Sequence, residues 1–135
     1  MSTHSPRSLS GSRAAAAVLN ALLSLIGLVV SIAPLHLGAE GAGASGDNPP
    51  FAALVVGVIL GVLGLVGSFG IWRSERWGLI LTIVVRGLDG LGGVFGLLAE
   101  DTTLRLLAIL SVVGAAVVIF LLLRPTSASV ATTEA

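Results

Sequence analysis

FAALVVGVILGVLGLVGSFGIW, residues 51–72, contains no charged side chain and no proline. A helix over this stretch, rising about 1.5 Å per residue, is about as long as a bilayer's hydrocarbon core is thick. Its glycines are no obstacle, because a helix in lipid satisfies its own backbone polar groups. Pro49-Pro50 precedes it, and Arg73-Ser-Glu-Arg76 follows it. The stretch reads as a transmembrane helix, and the chain around it repeats the pattern.

Downstream of the Arg73–Arg76 turn, residues 77–99 are apolar except for Arg86 and Asp89. Glu100-Asp-Thr-Thr103 forms a second short turn, and residues 104–123 make a further apolar run that Arg124-Pro125 stops. Upstream, residues 14–33 form a run ended by Pro34, and a Gly-rich polar loop leads to Pro50. The sequence thus predicts an all-α fold, a membrane bundle of four transmembrane helices over 14–123, with spans at about 14–33, 51–72, 77–99 and 104–123. Residues 1–13 and 124–135 are polar tails. The first run could instead be a signal peptide, with Ala42-Gly43-Ala44 as the cleavage site. Its apolar core exceeds the usual 7–15 residues and that site lies far past its end, so the run reads as a retained span.

Composition agrees. Of 135 residues, 55% are hydrophobic and 10% charged, whereas a soluble domain carries about 25% charged residues. So few charges cannot cover a water-facing surface, which excludes a soluble enzyme and a disordered chain. Net charge is zero, and the absence of a basic patch excludes nucleic acid as a partner. No cysteine is present, which removes disulfides and thiolate chemistry. All seven cations are arginine and Ala, Gly, Val and Leu dominate, a bias that fits a GC-rich coding genome.

Basic residues in short loops set orientation. Four alternating crossings put Arg7, Arg13, Arg73, Arg76 and Arg124 on one side. Glu40, Asp47, Glu100 and Asp101 fall on the other, with Arg105 the only nearby cation. Both termini and both tails are therefore expected to be cytoplasmic (N-in/C-in). Trp72 and Trp77 fall at the cytoplasmic ends of spans two and three, as interfacial anchors.

At 100° per residue, small and polar residues gather on stripes. Span one carries Asn20, Ser24, Gly27 and Ser31. Span two carries Gly57, Gly61, Gly64 and Ser68, and span three Thr82, Arg86, Asp89, Gly90, Gly93 and Gly96. Span four offers Ala108, Ser111 and Ala115. Gly57-xxx-Gly61 is a small-xxx-small pattern that lets helices approach closely. Gly57, Gly61, Gly64, Gly90 and Gly93 are the expected packing positions. Gly70 lies on the opposite face from Gly61, so a bulky residue there is expected to matter less.

Arg86 and Asp89 are the most informative residues. Nine residues after Trp77, Arg86 lies about 14 Å into its span, near the bilayer centre. A charge there costs about 2.5–3.5 kcal/mol. The i,i+3 spacing lets the two side chains meet and cancel. Ser24 and Gly27 reach similar depths and Asn20 is slightly shallower; Asn20 and Ser24 are the candidate polar partners. The pair reads either as a neutralised packing element or as a proton- or cation-handling site.

Catalytic constellations are nearly absent. His4 sits in the N-terminal tail. Ser31 and His36 form a nucleophile–base pair in composition only, lacking an orienting group. No zinc, haem or phosphate motif appears, so no metal and no cofactor is expected.

The hairpin Gly70-Ile-Trp-Arg-Ser-Glu-Arg-Trp-Gly78 resembles the Gly-x-Trp-Arg-x-x-Arg-Trp-Gly/Ala turn of small four-helix bacterial membrane proteins of unassigned function. The resemblance covers these nine residues and the four-span layout, and it implies a multi-pass protein of the bacterial inner (plasma) membrane. Small multidrug transporters also have four spans, but their essential Glu lies in the first span, where this sequence has Asn20. The expectation is a non-enzymatic protein that acts through helix packing as an accessory or self-associating subunit. Its partners would be the lipid bilayer and either further copies or another membrane protein. The alternative is a small proton- or cation-coupled transporter or channel that uses Asp89 and Arg86. A phage-type permeabilising protein shares the size and span count.

Overall fold

The computed structural model describes residues 10–36 and 51–124. They form four helices: α1 (Gly11–His36), α2 (Phe51–Trp72), α3 (Arg76–Gly96) and α4 (Thr102–Leu123). The fold is an all-α four-helix bundle, and each helix is long and apolar enough to cross a membrane. Residues 1–9, 37–50 and 125–135, including His4, Arg7, Glu40 and Asp47, lie outside the described residues, as does the His36 side chain.

Helix ends depart from the apolar runs for local reasons. α1 begins three residues before its run, where the Ser10 carbonyl accepts from the Arg13 and Ala14 amides. It also continues through Pro34, where the sequence predicts a stop. A proline removes one backbone donor and crowds the preceding turn, and so close to the helix end the effect stays within the last turn. α3 ends at Gly96 rather than Ala99, where the chain tightens into i,i+3 bonds from the Leu98 and Ala99 amides. α4 begins at Thr102 because the Asp101 carboxylate caps it, accepting from the Thr103 amide at 2.6 Å and the Leu104 amide at 3.3 Å. Between α2 and α3, Ser74 takes φ 59° and the Glu75 amide donates to the Gly70 carbonyl at 3.0 Å. That is a Schellman-type stop, built here without glycine at the left-handed position.

Each helix packs antiparallel to its sequence neighbours, and α1 closes the ring against α4. On the α1–α2 seam, a Cβ added to Gly57 would meet Ser31, one on Gly61 would meet Leu28, and one on Gly64 would meet Ser24. On the α3–α4 seam, Gly90 faces Ala115, Gly93 faces Val112, and Gly96 faces Ala108. The α1–α2 approaches run from Gly57 to Gly64, and the α3–α4 approaches lie in the half of those helices nearer Glu100 and Asp101. The α2–α3 seam behaves differently. Its close approaches, Gly67 to Thr82 and Gly70 to Gly78, lie toward the end that carries Ser10, the Arg73–Arg76 turn and Arg124, hereafter the arginine end. The buried cluster of Ala16, Ala17, Ile71, Val118 and Leu122 fills the same end. Toward the other end, called acidic for Glu100 and Asp101, space opens between the α1–α2 pair and the α3–α4 pair. The outside of the bundle is apolar, with Leu22, Val29, Ile59, Ile80, Leu91 and Leu106 among its exposed side chains.

Gly70 corrects the sequence reading. It is buried, and a Cβ on it would fall 2.6 Å from the Gly78 Cα, while one on Gly78 would fall 2.4 Å from the Gly70 carbonyl carbon. Gly70 therefore stands at one of the tightest helix crossings described. It lies off the stripe that faces α1 because it belongs to a second small-residue face, turned toward α3.

Candidate functional site

Arg86 stands where the packed half meets the open half. Its backbone belongs to α3, but its side chain crosses the bundle diagonally to α1. Nε donates to Asn20 Oδ1, and Nη2 donates to the Asn20 carbonyl at 2.8 Å and to Ser24 Oγ at 2.7 Å. Nη1 donates to Asp89 Oδ2, also at 2.8 Å. A guanidinium has five N–H donors, and four are placed by these bonds. Helical geometry supplies the Asp89 bond, since i,i+3 side chains share a face. The α1 bonds need a side chain as long as arginine, because α3 packs mainly against α2 and α4 and stands diagonally across the bundle from α1.

Asn20 extends the network to α2. Its Nδ2 donates to the Gly64 carbonyl at 2.9 Å and to Ser68 Oγ at 2.8 Å, and Ser68 Oγ donates to the same Gly64 carbonyl at 3.0 Å. Ser111 ties in α4 through a 3.1 Å bond to the Asp89 carbonyl. Polar bonds among a handful of residues therefore touch all four helices. Asn20 is fully buried, and Arg86 and Ser24 are each 3% exposed. Thr82, one turn before Arg86 and fully buried, leaves its Oγ1 without a hydrogen-bond partner.

Asp89 differs from its partner. The Arg86 side chain is 4% exposed and that of Asp89 is 35% exposed. The carboxylate borders two cavities of about 70 and 140 Å³ on the acidic side of the network. Leu23, Gly27, Ser31, Arg86 and Asp89 line both. The smaller extends toward Gly57 and Gly61 of α2, the larger toward Leu107, Leu110 and Ser111 of α4.

The structure thus brings Arg86, Asp89, Asn20 and Ser24 into one network, with the Gly64 carbonyl joining it. Gly57 and Gly61 lie on the α1–α2 seam, Gly90 and Gly93 on the α3–α4 seam. Trp72 and Trp77 are exposed at the arginine end, and Trp77 Nε1 donates to Glu75. Sequence reasoning passed over the bonding roles of Ser68 and Ser111, although both stood on the small-residue stripes. It also missed the α2–α3 crossing, which Gly67-x-x-Gly70 and Gly78-xxx-Thr82 signal. Among the described residues, no group of three or more His, Cys, Asp or Glu is placed to hold a metal ion.

Comparison with protein-family models, with curated proteins and with solved structures finds no match to this chain.

Proposed function

We propose that this chain is a non-enzymatic, multi-pass protein of a bacterial plasma membrane, acting through helix packing as an accessory or self-associating subunit, with both termini cytoplasmic. The carrying observation is that Arg86 is consumed by architecture. Four of its donors hold fixed acceptors on α1 and on its own helix. A residue bound in this way sets helix positions rather than shuttling a ligand.

Supporting features lie on the surface. Arg73 and Arg124 stack over the Phe69 and Phe120 rings at 5.7 and 5.6 Å, so their stems lie on the apolar girdle with the charge at its edge. That suits a cytoplasmic headgroup layer beside Trp72 and Trp77. On the outer face of α3, Gly92 sits among exposed Leu88, Leu91 and Phe95 with open space above it, a shallow place for another helix to approach.

A second reading, a proton- or cation-coupled transporter or channel, is favoured by one observation: Asp89 faces both cavities. Purified protein in liposomes under a pH gradient separates the two. The assembly reading expects no flux and a discrete oligomer by native mass spectrometry. Proton or cation flux that disappears in Asp89→Asn favours transport.

A further inference from the structure

The two cavities beside Asp89 share five lining residues and lie wholly on the acidic side of Asn20. A polar cavity holds water when it offers at least about 10–15 Å³ and two to four polar partners per molecule. Volumes of about 70 and 140 Å³ exceed the first requirement several-fold. The lining meets the second. Asp89 gives Oδ2 to Arg86, and among the described residues Oδ1 receives no hydrogen bond. Ser24 Oγ accepts from Arg86, which leaves its own hydrogen for another acceptor. The Ser31 hydroxyl borders both spaces. A carboxylate oxygen against a dry apolar wall would be penalised by desolvation.

We propose that these cavities form one hydration site, a water-filled vestibule that opens toward the acidic end and has the Arg86 network as its floor. Small residues border the room: Gly27 is exposed at its edge, and it and Ser31 line both spaces. The floor is closed below, since Arg86, Thr82 and the Ala16–Ala17–Ile71–Val118–Leu122 cluster fill the arginine-end half. The occupant is neutral, because Arg86 and Asp89 already balance and a further ion would add an uncompensated charge at the bundle centre. This site goes beyond either reading of function. An assembly subunit and a transporter at rest would both contain it.

The chain has no cysteine, so single-cysteine variants report on one position at a time. Gly27→Cys, Ser31→Cys and Leu88→Cys in sealed proteoliposomes are treated with a small membrane-impermeant methanethiosulfonate on the acidic-end side. Thiolate is the reactive form and it needs water. Both vestibule thiols should therefore react at least about tenfold faster than the thiol of Leu88→Cys, which lies on the exposed outer face of α3. Equal, slow reaction at all three positions overturns the proposal, as does faster reaction of the vestibule thiols when the reagent is on the arginine-end side. Ser31→Cys changes a single atom and keeps the test valid if Gly27→Cys folds poorly. Gly27→Leu adds an independent sign. Filling a hydrated space strips water from Asp89 and should lower the melting temperature, whereas filling a dry one should raise it and contradict the site.

Discussion

Gly70 and Gly27 show small residues used for opposite purposes in the two halves of the bundle. At the arginine end, Gly70 and Gly78 bring two backbones so close that neither position has room for a Cβ. Ala16, Ala17 and Val118 complete a core with little exposed surface. At the acidic end, Gly27 faces space, Ser31 packs against Gly57 and borders the cavities, and those cavities lie between α1 and the α3–α4 pair. Side-chain volume alone does not distinguish the halves. What differs is whether the opposing position is also small. Gly70 meets Gly78 and the helices touch, while Gly27 has no close counterpart and a gap remains. Arg86 sits at the boundary, its length spanning a diagonal that no small residue could bridge.

The largest expected effect comes from breaking the boundary. Asp89→Leu leaves the Arg86 charge buried without its counter-charge, a change that in buried pairs costs about 3–5 kcal/mol. Arg86→Leu should also be strongly destabilising, because it removes the bonds to Asn20 and Ser24 that join α3 to α1. The double substitution should recover much of the loss relative to Asp89→Leu, read as unfolding midpoints in detergent. A double variant no more stable than Asp89→Leu alone would mean that the two charges do not compensate one another.

A smaller but still large effect separates the halves directly. Gly78→Ala forces a methyl into the Gly70 backbone and should cost at least about 1–3 kcal/mol, the range for overpacking. Gly61→Ala meets mainly the Leu28 side chain, whose nearest atom is 2.9 Å away, and that chain can turn. It should therefore cost less. Equal losses would mean that the α2–α3 crossing is looser than described. Smallest of all, Gly92→Ala has open space around its Cβ and should raise stability by about 0.5–1 kcal/mol through helix propensity. In lipid, a loss of oligomer from the same change would instead place a partner helix on that face.

Much of this architecture is legible in the sequence. The four helices follow from run length and hydropathy, and Arg86–Asp89 contact follows from i,i+3 spacing. Less legible is anything that depends on two helices at once. Reading one small-residue stripe per helix captured the α2 face toward α1. It hid the second face toward α3, which is how Gly70 came to be judged tolerant. The diagonal reach of Arg86 to the Asn20 carbonyl is beyond periodicity, because a backbone acceptor leaves no mark in the side-chain pattern. The cavities are likewise a difference between opposing volumes on separate helices. Helix ends shifted by a few residues for capping reasons, at Ser10 and Asp101, that hydropathy does not register.

Arg86 fastens α3 to α1 across the bundle, and a double-mutant cycle between Arg86 and Asn20 tests this most directly. Arg86→Leu, Asn20→Leu and the double variant are unfolded reversibly in one detergent and their free energies compared. Residues in one hydrogen-bond network couple by about 0.5–3 kcal/mol, so the double variant should lose less than the sum of the singles by an amount in that range. Strict additivity would mean that the two side chains do not hold one another, and the diagonal lock would be absent.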